Sequence, residues 1–252
     1  MLQCLASTAR ELRALSAESQ ANVDQAIVRT LLSLMDIEHA STAPDAAGAL
    51  ANLCTQDEAR QLVMGAADTL PLCVKLLGRG CGSPLTTEVV RVISNLALKP
   101  SFRDQIRRAN AIAPLVAFLS SDPSSGLVMQ TAVALRNLSR DNLRNQDAIR
   151  DAGGISRLVK LLAVDTSVAH EAAKALKNLM MGNPTNKKEL QDVGGVAPLL
   201  SLLRTDGCIQ NTSAAMVLCN FVRSSGTAGR REYDCHSFSA HELDLTSPSI
   251  LA

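Results

Sequence analysis

The sequence predicts an all-α solenoid, a stack of helical repeats of about 42 residues. Five similar apolar phrases, "ALANLC", "VISNLA", "ALRNLS", "ALKNLM" and "VLCNFV", each carry an Asn. These residues are Asn52, Asn95, Asn137, Asn178 and Asn220, separated by 43, 42, 41 and 42 residues. The chain is 46% hydrophobic but only 2% aromatic, without Trp, which predicts an aliphatic core. Apolar residues also recur at helical spacing within each copy. A constant period of this length is typical of stacked helical arrays.

Each repeat is expected to contain three helices. In residues 140–181, "DNLRNQDAIRDAGG" forms a first helix that ends at Gly153 and Gly154, because glycine tolerates the sharp turn. The segment "ISRLVKLL" has the apolar stripe of a second helix, and "AHEAAKALKNLMM" forms a third, which carries the Asn. The segments "DTLPLCVKLL", "RANAIAPLVAFL" and "DVGGVAPLLSLL" repeat the second helix in the other copies.

This pattern resembles the armadillo repeat family. The resemblance rests on three helices per repeat, a Gly turn before "(I/V)xPLVxLL" and a third helix ending in "ALxNL", and it covers residues 22–224. It implies a right-handed α-solenoid of about five armadillo repeats. Residues 1–21 are expected to form a degenerate partial repeat or cap, with Ala14 in place of the Asn. Residues 225–252, which are rich in Ser, are expected to be a disordered polar tail.

Composition excludes several classes of function. The chain has 25 Lys and Arg against 24 Asp and Glu, so bulk charge gives no reason to expect nucleic acid or membrane binding. The seven Cys form no CxxC pair, which indicates a reducing compartment, cytoplasmic or nuclear. The four His are not grouped with a nucleophile or paired carboxylates. We therefore expect no catalytic activity, no cofactor, no membrane insertion and no metal site, Cys235 and His236 being too few ligands.

The candidate binding surface follows from helical geometry. At 100° per residue, the positions four before, one before and three after each Asn share its face, opposite the core. The resemblance implies that this face lines a concave groove. Six of the fifteen positions are basic and none is acidic. The basic residues are Arg91, Arg136, Arg140, Lys174, Lys177 and Arg223, with Arg144 one turn further.

We expect a protein-interaction module that binds an extended, acidic peptide in this groove. The resemblance implies that the Asn amides contact the peptide main chain. In the alternative interpretation, each Asn amide bonds the adjacent repeat, and the two roles can coexist. A scaffold or chaperone-cofactor-type clasp in a larger complex is a second alternative. Nucleic-acid binding is disfavoured by the scarcity of aromatic residues. An importin-α-like cargo adaptor is disfavoured by the missing Trp and the basic strip. The partner and the oligomeric state stay open.

Overall fold

The computed structural model describes residues 7, 9–11, 13–14, 23–37, 41–164, 166–205 and 212–222. All regular secondary structure in these residues is α-helical, as predicted. The helices are α1 (Gln25–Asp36), α2 (Thr42–Leu53), α3 (Asp57–Gly65), α4 (Thr69–Leu77), α5 (Pro84–Leu96), α6 (Pro100–Arg108), α7 (Ile112–Phe118), α8 (Gly126–Ser139), α9 (Leu143–Asp151), α10 (Gly154–Leu161), α11 (Thr166–Met180), α12 (Pro184–Asp192), α13 (Val196–Thr205) and α14 (Thr212–Val222).

The order of the helices confirms three per repeat. The Asn-bearing third helices are α2, α5, α8, α11 and α14. Between two successive third helices lie one first helix and one second helix, as in the pair α9 and α10. Each third helix packs against the next third helix along the chain and against its own second helix. The third helices therefore form a continuous layer, with the other helices covering one of its sides.

The covered side of this layer is the core. All residues two positions before the Asn are buried: Leu50, Ile93, Leu135, Leu176 and Leu218. Those one position after it are buried as well, namely Leu53, Leu96, Leu138 and Leu179, while the side chain of Phe221 lies outside the described residues. Burying a side chain of this size contributes about 1.5–3 kcal/mol. The aliphatic stripe predicted from the sequence is therefore what joins the repeats.

The predicted glycine turns are confirmed between first and second helices. Gly153 has φ of 77°, a left-handed conformation that favours glycine. A Cβ on the neighbouring Gly154 would lie 2.6 Å from Cγ2 of Ile149, so only glycine permits this approach. The corresponding turn between α6 and α7 uses Asn110, with φ of 62°, and Asn tolerates this region better than most residues.

The predicted ends of the array are largely outside the described residues. Of residues 1–21, only 7, 9–11, 13 and 14 are described, and they are helical. The array boundaries at 22 and 224 and the tail of residues 225–252 lie outside the described part. These three assignments stay predictions.

Candidate binding surface

The Asn side chains complete the ends of the preceding third helices. The last four carbonyls of an α-helix have no intrahelical partner. In α5, the carbonyls of Ile93, Asn95 and Leu96 accept from the main-chain N–H groups of Ala97, Leu98 and Lys99 at 2.9, 3.2 and 3.2 Å. The remaining carbonyl, that of Ser94, accepts from Nδ2 of Asn137 at 3.0 Å. Asn137 is only 8% exposed and also donates to Oγ of Ser94 at 3.2 Å.

The same contact recurs in the neighbouring repeats. Nδ2 of Asn95 donates to the carbonyl of Ala51 at 2.7 Å. Nδ2 of Asn178 donates to the carbonyl of Arg136 at 2.9 Å. In each case the acceptor lies one position before the Asn of the preceding repeat. In these three repeats the Asn amide therefore bonds the adjacent repeat, as the alternative interpretation expects. The role of these amides toward a ligand stays a prediction.

The carbonyl oxygens of these amides differ in what they contact. Oδ1 of Asn52 accepts from Nη2 of Arg91, so this predicted pair of binding residues is engaged within the protein. Oδ1 of Asn95, Asn137 and Asn178 receives no hydrogen bond from the described residues. A ligand N–H can therefore use these three acceptors without displacing the contacts that join the repeats.

The expectation that the strip lacks acidic residues is wrong. Asp45, Glu88 and Glu171 each lie seven positions before an Asn. Seven residues turn an α-helix through about two full turns, so these positions share the Asn face to within about 20°. The sequence argument counted only the positions at −4, −1 and +3. We call Asp45, Glu88 and Glu171 the acid row.

The acid row pairs with three of the six predicted cations, Arg91, Arg136 and Lys174. Glu171 accepts from Nη1 of Arg136 at 2.6 Å and from Nζ of Lys174 at 2.8 Å. Glu88 forms ion pairs with Arg91 and Arg13, each at 2.7 Å, and accepts a hydrogen bond from Nη2 of Arg13. Both carboxylate side chains are only 13% exposed. The positive charge that the sequence predicted along the whole strip is therefore neutralised at Arg91 and reduced elsewhere.

A net positive charge remains where the third and fourth repeats meet. We call Arg136, Arg140, Lys174 and Lys177 the basic cluster, and Glu171 is the acid-row member that pairs within it. Arg140 and Lys177 form no ion pair with any described residue. Burial lowers the pKa of Lys177, and the nearby charges of Arg140, Arg136 and Lys174 lower it further. The three cations near Lys177 indicate a local positive potential that Glu171, the acid-row member paired in this cluster, offsets only in part.

A buried arginine that the sequence argument missed positions Arg140. Arg103 is 4% exposed, and its Nη1 donates to the carbonyl of Arg140 at 2.6 Å. Its Nε donates to the carbonyl of Ala97 at 2.9 Å, tying the end of α5 to the next repeat. Burial lowers the pKa of Arg103, with the charge of Arg140 adding to the effect. A polar residue eight positions after four of the five Asn residues was the available signal: Arg60, Arg103, Asn145 and Asn186.

Apolar side chains flank the basic cluster. Leu98 and Met181, three positions after their Asn residues, are each 43% exposed. Arg140 occupies the same position in the repeat between them and is exposed. The predicted binding residue Arg223 lies outside the described residues, as do Cys235 and His236. Asn220 has at least one interaction partner within the chain, and its role toward a ligand stays a prediction.

The described helices set limits on other kinds of site. None combines the length and hydropathy needed to span a bilayer. Cys54, Cys73, Cys81 and Cys219 are free thiols. Within the described residues, no three His, Cys, Asp or Glu side chains come together as metal ligands would.

Comparison with known proteins defines the class to which this helical array belongs. The family model described as Armadillo/beta-catenin-like repeat matches residues 99–140 and 142–181. A designed armadillo repeat protein superposes with a TM-score of 0.77 at 24% identity, covering 87% of this chain and 94% of its own. Residues 99–140 and 142–181 are therefore similar to armadillo repeats, and the helical array has the armadillo repeat fold.

Two further proteins bear on function. The chain is 33% identical over 143 residues to vacuolar protein 8 of Schizosaccharomyces pombe, covering 57% of this chain and 26% of that protein. It therefore spans about a quarter of the length of this relative. A designed armadillo repeat protein in complex with the peptide (KR)4 superposes with a TM-score of 0.75 at 25% identity, covering 85% of this chain and 92% of the other. Armadillo repeats thus form a fold that binds peptides.

Proposed function

We propose that this chain is a binding module that takes an extended, acidic protein segment across the third-helix layer, centred on the basic cluster. The observation that carries the proposal is the excess positive charge of that cluster: it holds four cationic side chains, and the one acid-row carboxylate among them, Glu171, pairs with Arg136 and Lys174. An acidic segment supplies the missing negative charge. The proposal does not extend to Asn52 and Arg91, because Nη2 of Arg91 already donates to Oδ1 of Asn52.

The amides supply the contacts to the main chain of the ligand. In three successive repeats, Oδ1 of Asn95, Asn137 and Asn178 accepts from no residue that the structure describes, and an extended chain presents N–H donors at regular intervals. Because each Nδ2 is fixed on a helix carbonyl, the acceptor is held in place before binding. Fixing it beforehand lowers the entropy cost of association.

The expected affinity is modest. A solvent-exposed ion pair contributes about 0.2–1 kcal/mol, so the basic cluster supplies a few kcal/mol that added salt weakens. Main-chain hydrogen bonds and apolar contacts at Leu98 and Met181 add to it. A micromolar complex requires about 8 kcal/mol. We expect dissociation constants in the micromolar range, rising with ionic strength.

The structure bound to (KR)4 supports the mode of binding and contrasts in charge. That designed protein receives a basic peptide, whereas the basic cluster here favours an acidic one. The four free thiols support a reducing location for this binding, cytoplasmic or nuclear.

The test is a charge reversal with a matched control. We choose Arg140 and Lys177 because neither forms an ion pair with a described residue, so replacing them leaves the acid row paired. The double variant R140E/K177E is compared with K160E/K188E, which reverses two exposed cations on α10 and α12. Binding of a fluorescein-labelled 12-residue peptide of Glu and Ser is followed by anisotropy at low salt.

The proposal predicts at least tenfold weaker peptide binding for R140E/K177E and unchanged binding for K160E/K188E. Equal losses in both variants indicate a non-specific effect of net charge and contradict the site. A single-stranded oligonucleotide of the same charge serves as competitor. If it binds more tightly than the peptide, the surface is a nucleic-acid site and the proposal is wrong.

A further inference from the structure

The ion pairs between successive third helices follow a fixed register. A cation one position before the Asn pairs with an acid seven positions before the next Asn. Arg136 pairs in this way with Glu171 at 2.6 Å. Arg13, which precedes Ala14 at the degenerate Asn position, pairs with Asp45 at 3.1 Å. The register therefore holds for two pairs of repeats that lie far apart in the chain.

The register is broken after Lys177. Lys177 occupies the cation position of the fourth repeat, but the acid position of the fifth repeat is Ser213. The helix that bears Ser213 is α14, "TSAAMVLCNFV", which contains no ionisable acid that could substitute. The charged groups that act on Lys177 are Arg140, Arg136 and Lys174, all cations. Lys177 therefore has the position of a paired residue but no acidic partner among the residues that the structure describes.

We infer that Lys177 and Ser213 form an anion subsite, in which a carboxylate of the bound segment takes the place that an acid-row residue occupies in three of the other four repeats. This inference rests on the proposed function and fixes where one acidic side chain of the ligand lies. The Ser213 hydroxyl is partly exposed and donates to the same carboxylate. A ligand without an acid at this point leaves Lys177 unpaired.

The experiment supplies the missing acid from within the chain. S213E places a carboxylate in the acid-row position, and S213Q is the neutral control of the same size. Two quantities are measured on the full chain: binding of the labelled Glu and Ser peptide, and the pKa of Lys177 from the 13Cε resonances of labelled lysines. K177Q identifies the Lys177 resonance, since it is the one that disappears.

The expected result has two parts. S213E raises the pKa of Lys177 relative to the wild-type protein and weakens peptide binding at least fivefold, because its carboxylate occupies the subsite. S213Q leaves the pKa of Lys177 unchanged and weakens binding less than S213E does, because its amide N–H can replace the hydroxyl as donor and it adds no negative charge. K177Q weakens binding to the same extent as S213E. Circular dichroism checks that the variants fold. If S213E does not fold, S213D, which has the shorter acidic side chain, replaces it.

The outcomes separate this inference from the proposed function. If the wild-type protein binds the peptide and S213E binds it equally well, the subsite is refuted while the binding surface stands. An unchanged Lys177 pKa in S213E also refutes it, since the two side chains are then not neighbours. If the wild-type protein binds no peptide, the proposed function fails, and the subsite fails with it.

Discussion

Replacing Asn137 by Ala tests whether the Asn residues cap the preceding helix. The substitution removes the donor of the Ser94 carbonyl and of its Oγ, with Ser94 itself 2% exposed. A buried acceptor left without a partner costs about 1–3 kcal/mol. Ala improves helix propensity by about 0.6 kcal/mol, which offsets part of this cost. We expect N137A to lower the free energy of unfolding by about 0.5–2.5 kcal/mol.

Urea denaturation followed by circular dichroism measures this change. N178A is the matched control, because the Arg136 carbonyl keeps a second donor, Oγ of Ser139, at 3.1 Å. We expect N178A to cost less than N137A. An N137A protein that is as stable as the wild type, or more stable, refutes the capping role. The Asn residues would then be retained for a ligand alone.

Three further predictions concern buried groups. Burial raises the pKa of the Cys73 thiol to about 12 from 9.0, and it raises that of Cys54 as well. Both thiols are neutral in the fold, so their contribution to stability is intact below pH 9 and is lost as the pH rises toward 12. The midpoint of urea unfolding, measured across this pH range, reports the loss. A C54A/C73A variant is the control and does not show it. In a thiol-labelling assay under native conditions, exposed Cys81 reacts at once and Cys54 and Cys73 react only on unfolding. R103L removes a charged donor from the Ala97 and Arg140 carbonyls. We expect it to lower the free energy of unfolding by about 2–3 kcal/mol and to weaken peptide binding. Unchanged binding would mean that Arg103 does not position Arg140.

The repeat architecture could be predicted from the sequence because it depends on local pattern. The period of the Asn residues and the apolar positions at −2 and +1 identified the third helices and their buried face. The turn at Gly153 followed from the conformational freedom of glycine. Each of these signals lies within one helix or turn, so no knowledge of neighbouring repeats was needed.

The binding surface was predicted less completely because it depends on how repeats stack. That Asn137 reaches the Ser94 carbonyl follows from the register between α8 and α5, which composition and spacing do not specify. The acid row could have been found, since Glu88 and Glu171 lie seven residues before an Asn, on the same helical face. Its pairing with cations of the preceding repeat required the structure. For this reason the sequence predicted a uniformly basic strip, whereas the structure shows a local basic cluster.

The most direct test is the position of a bound acidic peptide on this array. Side-chain amide and lysine resonances of the full chain are recorded by NMR during titration with the Glu and Ser peptide. We predict that the amides of Asn137 and Asn178 and the resonance of Lys177 shift together, with the Lys177 pKa rising as the ligand carboxylate arrives. Shifts confined to Lys160 and Lys188, on the side formed by first and second helices, would contradict the account.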